Sequence, residues 1–269
     1  MTTLASETLV PSRVRTAPPA PIPLSRIVAV ELRKSFDTRA GFWMLASIGL
    51  AALLATSAVI VFAPEDEQVY DSFAAAIGFP MAVILPMIAI LSVTGEWSQR
   101  SGLTTFTLAP HRGRVVLAKA IVAVGIAVAS MALAFAVGAV GNLVGSAIAG
   151  VDTVWDIGVT GALNIVLANI LGLLIGFMLG VLIRNSAGAI VAYFVYSLLL
   201  PTLSAVLAAN QEWFADMQPW VDFNYAQGAL FNGDALSGEQ WAQLGVTSVF
   251  WLVVPLTVGV VMLLRSEIK

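Results

Sequence analysis

"VVLAKAIVAVGIAVASMALAFAV", residues 115–137, carries a single charged side chain, Lys119. About 20 apolar residues in a helix are enough to cross a hydrocarbon core of about 30 Å, so this stretch predicts a membrane span. Lys119 falls in its first turn or two, where a four-carbon stem lets the ammonium snorkel to the interface. The apolar run continues past Val137 to Gly150. A straight helix of that length, at about 1.5 Å per residue, would overshoot the core. Gly138, Gly141 and Gly145 are where it is expected to bend, end or leave the bilayer.

Working outward, five more runs have the same character: 41–63, 73–94, 159–183, 189–208 and 243–264. None of the six contains Asp or Glu. The composition agrees, with 59% hydrophobic and 11% charged residues, against about 25% charged in a soluble domain. The expected fold is therefore all-α and integral to the membrane, with six transmembrane helices from residue 24 onward. Residues 1–23 hold Arg13, Arg15 and five prolines with no apolar core segment. They read as a disordered cytoplasmic tail rather than a secretory leader.

The charges orient the bundle. With six spans and both termini on one side, all 13 Lys and Arg fall at or beside that side. The loops 64–72, 150–158 and 209–242 on the other side contain none of them and carry acids instead, among them Glu65, Asp66, Asp71, Asp152, Asp156, Asp222 and Glu239. The positive-inside rule then places both termini in the cytoplasm. Arg greatly outnumbers Lys in a chain also rich in Ala and Val, a usage that suggests a GC-rich bacterium and so a multi-pass protein of a bacterial plasma membrane.

Ahead of the first span, "LSRIVAVELRKSFDTRA" (24–40) predicts an amphipathic interfacial helix. Leu24, Ile27, Val28, Leu32 and Phe36 recur at helical spacing, and Ser25 is placed to cap. Glu31, Arg33 and Lys34 are its polar candidates. Such a helix lies along the inner leaflet with its basic side toward lipid phosphates, either as a plain anchor or as an elbow that shifts with the bundle.

Other features lie within the spans. Gly172, Gly176 and Gly180 line one face of the fourth and predict close helix approach, within one subunit or between subunits. Pro80, Pro86, Pro201 and Pro255 each remove a helix hydrogen bond and favour a kink. Asn142, Asn164 and Asn169 suit interhelical hydrogen bonds. Between spans five and six, 209–242 predicts short helices dipping back toward the bilayer. Trp213, Trp220, Tyr225, Phe231 and Trp241 would form an interface belt, and Ser237 with Gln240 a capping box.

Several chemistries are excluded. The chain has no Cys, hence no disulfide, thiol nucleophile or iron–sulfur cluster, and a single His, His111. There is no GxxxxGK[ST] phosphate loop, no intramembrane carboxylate and no HExxH. A nucleic-acid motif is also lacking, and the basic loops are explained by topology. An enzyme acting within the membrane is hard to assemble from what remains.

The polar stretch "GEWSQRSGLTTFTLAPHRGR" (95–114) lies between spans two and three. It carries a Glu, a Gly/Thr step, a Leu-x-x-Pro-like turn, a basic residue and then the Lys that opens span three. In that order these are Glu96, Gly102 with Thr104 and Thr105, Pro110, Arg112 or Arg114, and Lys119. Together with the amphipathic segment before span one and "PWVDFNYAQGAL" before span six, the pattern resembles the permease subunits of ABC-2 type transporters. The resemblance runs from about residue 24 on and rests on motif order more than on any one motif. It implies an ATP-driven exporter built as a homodimer or heterodimer of six-span units on a separate ATPase subunit, and the lack of charge inside the spans points to a hydrophobic or amphipathic substrate. ATP and Mg would be bound by that partner and no cofactor by this chain, which would not itself be an enzyme. Membrane lipid would be a further partner and nucleic acid would not. The 95–114 loop would be the coupling element, with Glu96, Arg100, Arg112 and Arg114 as polar contacts and Phe106 and Leu108 as apolar anchors. The alternative is a membrane scaffold or immunity-type protein that moves no cargo.

Overall fold

The computed structural model describes residues 22–98, 112–232 and 235–265, with backbone alone at Ala40 and 96–98. Among the described residues there are helices and short connections and no strand. Six helices are long and apolar enough to cross a membrane. A short helix α1 (Leu24–Asp37) leads into α2 (Arg39–Phe62), α3 (Tyr70–Ser98) and α4 (Arg112–Ala149). Then come α5 (Val159–Ile183) and α6 (Ser186–Asn210), two short helices α7 (Glu212–Val221) and α8 (Phe223–Gly228), and finally α9 (Gly238–Arg265).

The six spans alternate in direction. Arg112 Nη1 donates to the Leu263 carbonyl at 3.4 Å, and the Thr94 and Ser186 hydroxyls share a 2.8 Å hydrogen bond. These contacts gather the start of α4, the end of α9, the end of α3 and the start of α6 at what we term the basic end. At the acidic end, the Tyr70 amide donates to the Val154 carbonyl at 3.3 Å and the Asp71 amide to Asp156 Oδ1 at 2.8 Å.

α3 and α5 form the centre. Phe73, Ile77, Met81 and Leu85 of α3 and Leu173, Phe177 and Val181 of α5 are fully buried, joined by Ile48 and Ala52 of α2 and Ala123, Ala127 and Met131 of α4. α2 and α6 lie at the periphery with Leu54, Phe62, Val191 and Leu198 exposed. Apolar exposure of this extent suits contact with lipid, which is as apolar as leucine.

Close approach in the centre depends on missing side chains. A Cβ on Gly176 would lie 2.7 Å from the Pro86 carbonyl oxygen, and one on Gly180 3.3 Å from that of Ile90. Gly172 faces Gln227 at 3.6 Å. The glycine stripe of α5 thus admits α3 and α8 of the same chain.

The 112–149 run is one unbroken helix, about 57 Å long at 1.5 Å per residue. Its glycines do not end it. Instead, Gly141 admits Thr56 and the Phe73 ring, and Gly145 admits Phe73 and Gln68, at distances no Cβ could tolerate. The helix therefore runs beyond the expected span 115–137 at both ends, and at its C-terminal end it packs on α2, Gln68 and α3.

The prolines divide into two kinds. Pro80 and Pro86 sit inside α3. Pro201 and Pro255 each follow a wide π-turn, Val195–Leu199 and Val249–Val253. A proline ring clashes with the carbonyl four residues before it, and one extra residue in the preceding turn moves that carbonyl away.

Two of the three asparagines hydrogen-bond within their own helix or its connection instead of between spans. Asn169 Nδ2 donates to the Ile165 carbonyl of its own helix, and Asn142 Nδ2 to the Val154 carbonyl of the connection after α4.

Candidate functional site

At the basic end, α1 begins after Pro23 with no side-chain cap, so Ser25 lies inside the helix instead of capping it. Thr38, between α1 and α2, is the residue that caps: its Oγ1 accepts from the Gly41 amide at 3.0 Å. The apolar stripe read from the sequence splits in two. Leu24, Ile27 and Val28 turn inward with Glu31 and Ser35, whereas Leu32 and Phe36 are 42% and 56% exposed. Arg26 and Arg33 are exposed on a further face. The helix thus has a bundle face, an apolar flank and a basic flank.

Glu31 is the centre of this end. It is buried, and so is Lys119 of α4. Lys119 Nζ donates to Glu31 Oε2 at 2.6 Å and to the Ser92 carbonyl of α3 at 3.0 Å. Lys34, one turn along α1, donates to Glu31 Oε1 at 2.7 Å. Burial pushes the Glu31 carboxyl upward, but the neighbouring Lys119 and Lys34 outweigh it and hold the group below its ordinary value. Lys119 therefore does not snorkel to the interface. It turns inward, because an anion is available there.

Two arginines complete the described part of this end. Arg114 Nη1 donates to the Ile22 carbonyl at 3.2 Å and ties the start of α1 to α4, and Arg112 joins α4 to α9. Of the loop candidates, Arg112, Arg114 and Lys119 are thus placed, and Glu96 lies on the last turn of α3. Arg100, Gly102, Thr104, Phe106, Leu108 and Pro110 lie outside the described residues, as do the side chain of Glu96 and almost all of the tail 1–23. The Glu31–Lys119 pairing was not read from the sequence. Its signal was a lone acid on the inward stripe of α1 and a lone cation in an apolar span, each of which demands a partner when buried.

At the acidic end, α7, α8 and the 3₁₀ turn Ala229–Phe231 form an insert before α9. Asp222 Oδ1 accepts from the amides of Asn224 and Tyr225 and closes the break between α7 and α8. Phe223, Ala226 and Leu230 are buried. Gln227 Nε2 donates to the Ala168 carbonyl at 2.7 Å, and Asn224 Nδ2 to the Tyr196 carbonyl at 3.3 Å. Those two carbonyls lie about 14 Å and about 21 Å along α5 and α6 from their acidic ends. The insert therefore reaches deep between its neighbours. Ser237 and Gln240 form the expected capping box at the start of α9.

Among the described residues no three His, Cys, Asp or Glu side chains converge where they could hold a metal ion. No protein-family model matches the sequence, and no curated protein matches it.

Proposed function

We propose that this chain is the permease subunit of an ATP-driven ABC-2 type exporter in a bacterial plasma membrane. Both termini and the basic end face the cytoplasm. A separate ATPase subunit binds ATP and Mg and docks on the loop joining α3 to α4, with Glu96 and Arg100 among its polar contacts. Two permease subunits form the transport unit, and the substrate is hydrophobic or amphipathic. ATP-driven closure of the ATPase pair moves the loop and α1, and the bundle reopens toward the acidic end. The ATPase thus acts by favouring one of two bundle conformations over the other.

The observation that carries this reading is the grouping at the basic end. α1, the last turns of α3 and the first turns of α4 meet around Glu31, Lys119 and the Ser92 carbonyl. A force applied to the intervening loop would enter the bundle through that junction. The three faces of α1 support its placement at the inner leaflet, since the apolar flank can meet lipid while the basic flank meets headgroups.

Affinity purification of the tagged protein from its native membrane in mild detergent tests the proposal, with the Glu96→Ala/Arg100→Ala variant run in parallel. The expected result is an ATPase subunit that co-purifies with the native chain and is lost or weakened with the variant. If several mild conditions yield a stable chain and no ATPase, the transporter reading fails and a scaffold role replaces it.

A further inference from the structure

We infer that Glu31 is a latch that makes α1 and the basic ends of α3 and α4 a single rigid block, so that α1 follows α4 instead of swinging as a separate lever. Three observations converge on it. First, the carboxylate of Glu31 is the meeting point of two lysines, one on its own helix and one on α4. Second, the α4 lysine also reaches a backbone carbonyl of α3, so one ammonium holds three helices. Third, both members of the inter-helix pair are nearly inaccessible, with side-chain exposures of 8% for Lys119 and 7% for Glu31.

Burial makes the pairing conditional in both directions. If α1 left the bundle, Lys119 would lose the buried Glu31 carboxylate that it meets at 2.6 Å, which is unfavourable. If Glu31 lost its charge, α1 would keep Leu24, Ile27 and Val28 as inward apolar contacts, while its exposed Leu32 and Phe36 favour lipid. A short amphipathic helix can rest on a membrane surface on its own. The ion pair commits its middle turns to the bundle, as the Arg114–Ile22 hydrogen bond does its start. Glu31 and Lys119 are positioning residues in this scheme. That the block moves rests on the transporter reading; that it is a block does not.

The chain contains no cysteine, so labelling sites can be introduced into the otherwise native protein. Spin labels at Arg33→Cys on α1 and Leu117→Cys on α4, both exposed, report the docking of α1. A control pair at Leu54→Cys and Val140→Cys reports the α2–α4 bundle. In nanodiscs of phosphatidylethanolamine and phosphatidylglycerol, electron–electron distance measurements on the full chain should give a narrow α1–α4 distribution. Glu31→Gln should broaden it at least twofold while the control pair stays unchanged. Lys119→Met, which leaves Glu31 only its local Lys34, should do the same and serves if Glu31→Gln does not fold. An α1–α4 distribution as narrow in either folded variant as in the native chain overturns the latch.

The second arm uses the complex with its ATPase, trapped with MgATP and vanadate. The α1–α4 distance should remain that of the nucleotide-free state while distances from α1 to α9 change. A shift of the α1–α4 distance by several ångströms would show α1 to be an independent lever and overturn the rigid block. Absence of any ATPase complex would count against the transporter reading alone, because the first arm needs only this chain.

Discussion

Tyr193 of α6 donates its phenolic hydrogen to the Ala82 carbonyl of α3 at 2.7 Å. That carbonyl lies four residues before Pro86, which has no amide hydrogen to offer it. The same logic recurs at Tyr196, whose carbonyl lies five residues before Pro201 across a π-turn and accepts instead from Asn224. At Pro86 and Pro201 the carbonyl left without its helical amide is thus matched by a donor from another element, as backbone in an apolar medium requires.

The Tyr193 contact predicts a coupled pair. Tyr193→Phe should lower stability by about 1 kcal/mol, within the range measured for hydrogen bonds between membrane helices. In a Pro86→Ala background, where the helix supplies its own donor, the same substitution should cost distinctly less. Reversible unfolding of the four proteins in mixed micelles gives the coupling energy directly. Strictly additive effects would mean that the hydroxyl does not serve the proline gap.

Two glycines on one stripe should respond differently. At Gly176 a methyl group would meet the Pro86 backbone at 2.7 Å, so Gly176→Ala should destabilise the bundle by about 1–3 kcal/mol through overpacking. At Gly172 the nearest atom is the flexible Gln227 amide at 3.6 Å, and Gly172→Ala should stay within about 0.5 kcal/mol of the native protein. Thermal midpoints in detergent distinguish the two. Equal penalties would refute contact with α3 as the reason for the stripe.

The Glu31 ion pair has a defined pH dependence. Its carboxyl titrates below the ordinary glutamate value of 4.5, so the pair contributes fully above that value and is lost as pH falls through the depressed one. Glu31→Gln should cost about 3–5 kcal/mol, the usual penalty for breaking a buried pair by removing one partner. That gap should be flat between about pH 8 and pH 5 and narrow only on further acidification. A gap that closes around neutrality in parallel unfolding curves would point to a different titrating group.

The insert should loosen locally. Asn224→Ala and Gln227→Ala each remove one side-chain hydrogen bond to a backbone carbonyl of a neighbouring span. At about 0.6 kcal/mol per bond, amide protection across 212–231 should fall about threefold in either variant, with α3 and α5 unchanged. Hydrogen exchange followed by mass spectrometry reads this out. Protection lost equally throughout the bundle would assign these residues a global role.

Much of the architecture was legible because it follows from one-dimensional quantities. Long apolar runs, the absence of acids within them and the segregation of Lys and Arg fix the number of spans and their alternation. The capping box at Ser237 and Gln240 and the short helices of the insert were readable because their signals lie within a few residues of one another. Less of the candidate site was readable. The amphipathic pattern of 24–40 announced a helix, yet it put Leu32 and Phe36 on the same face as Leu24, since period alone does not say which neighbours a helix will have.

By itself the sequence determined six apolar helices, a polar segment between the second and third, and an amphipathic helix before the first. Tertiary structure alone decided that Gly141 and Gly145 accommodate Phe73 and its neighbours within one continuous helix, that the α5 stripe serves α3, and that Lys119 turns inward to Glu31. The physical reason is the same in each case. A glycine, a proline or a lone charge states a need (room, a donor, a counter-ion), and only the folded chain shows which distant residue meets it.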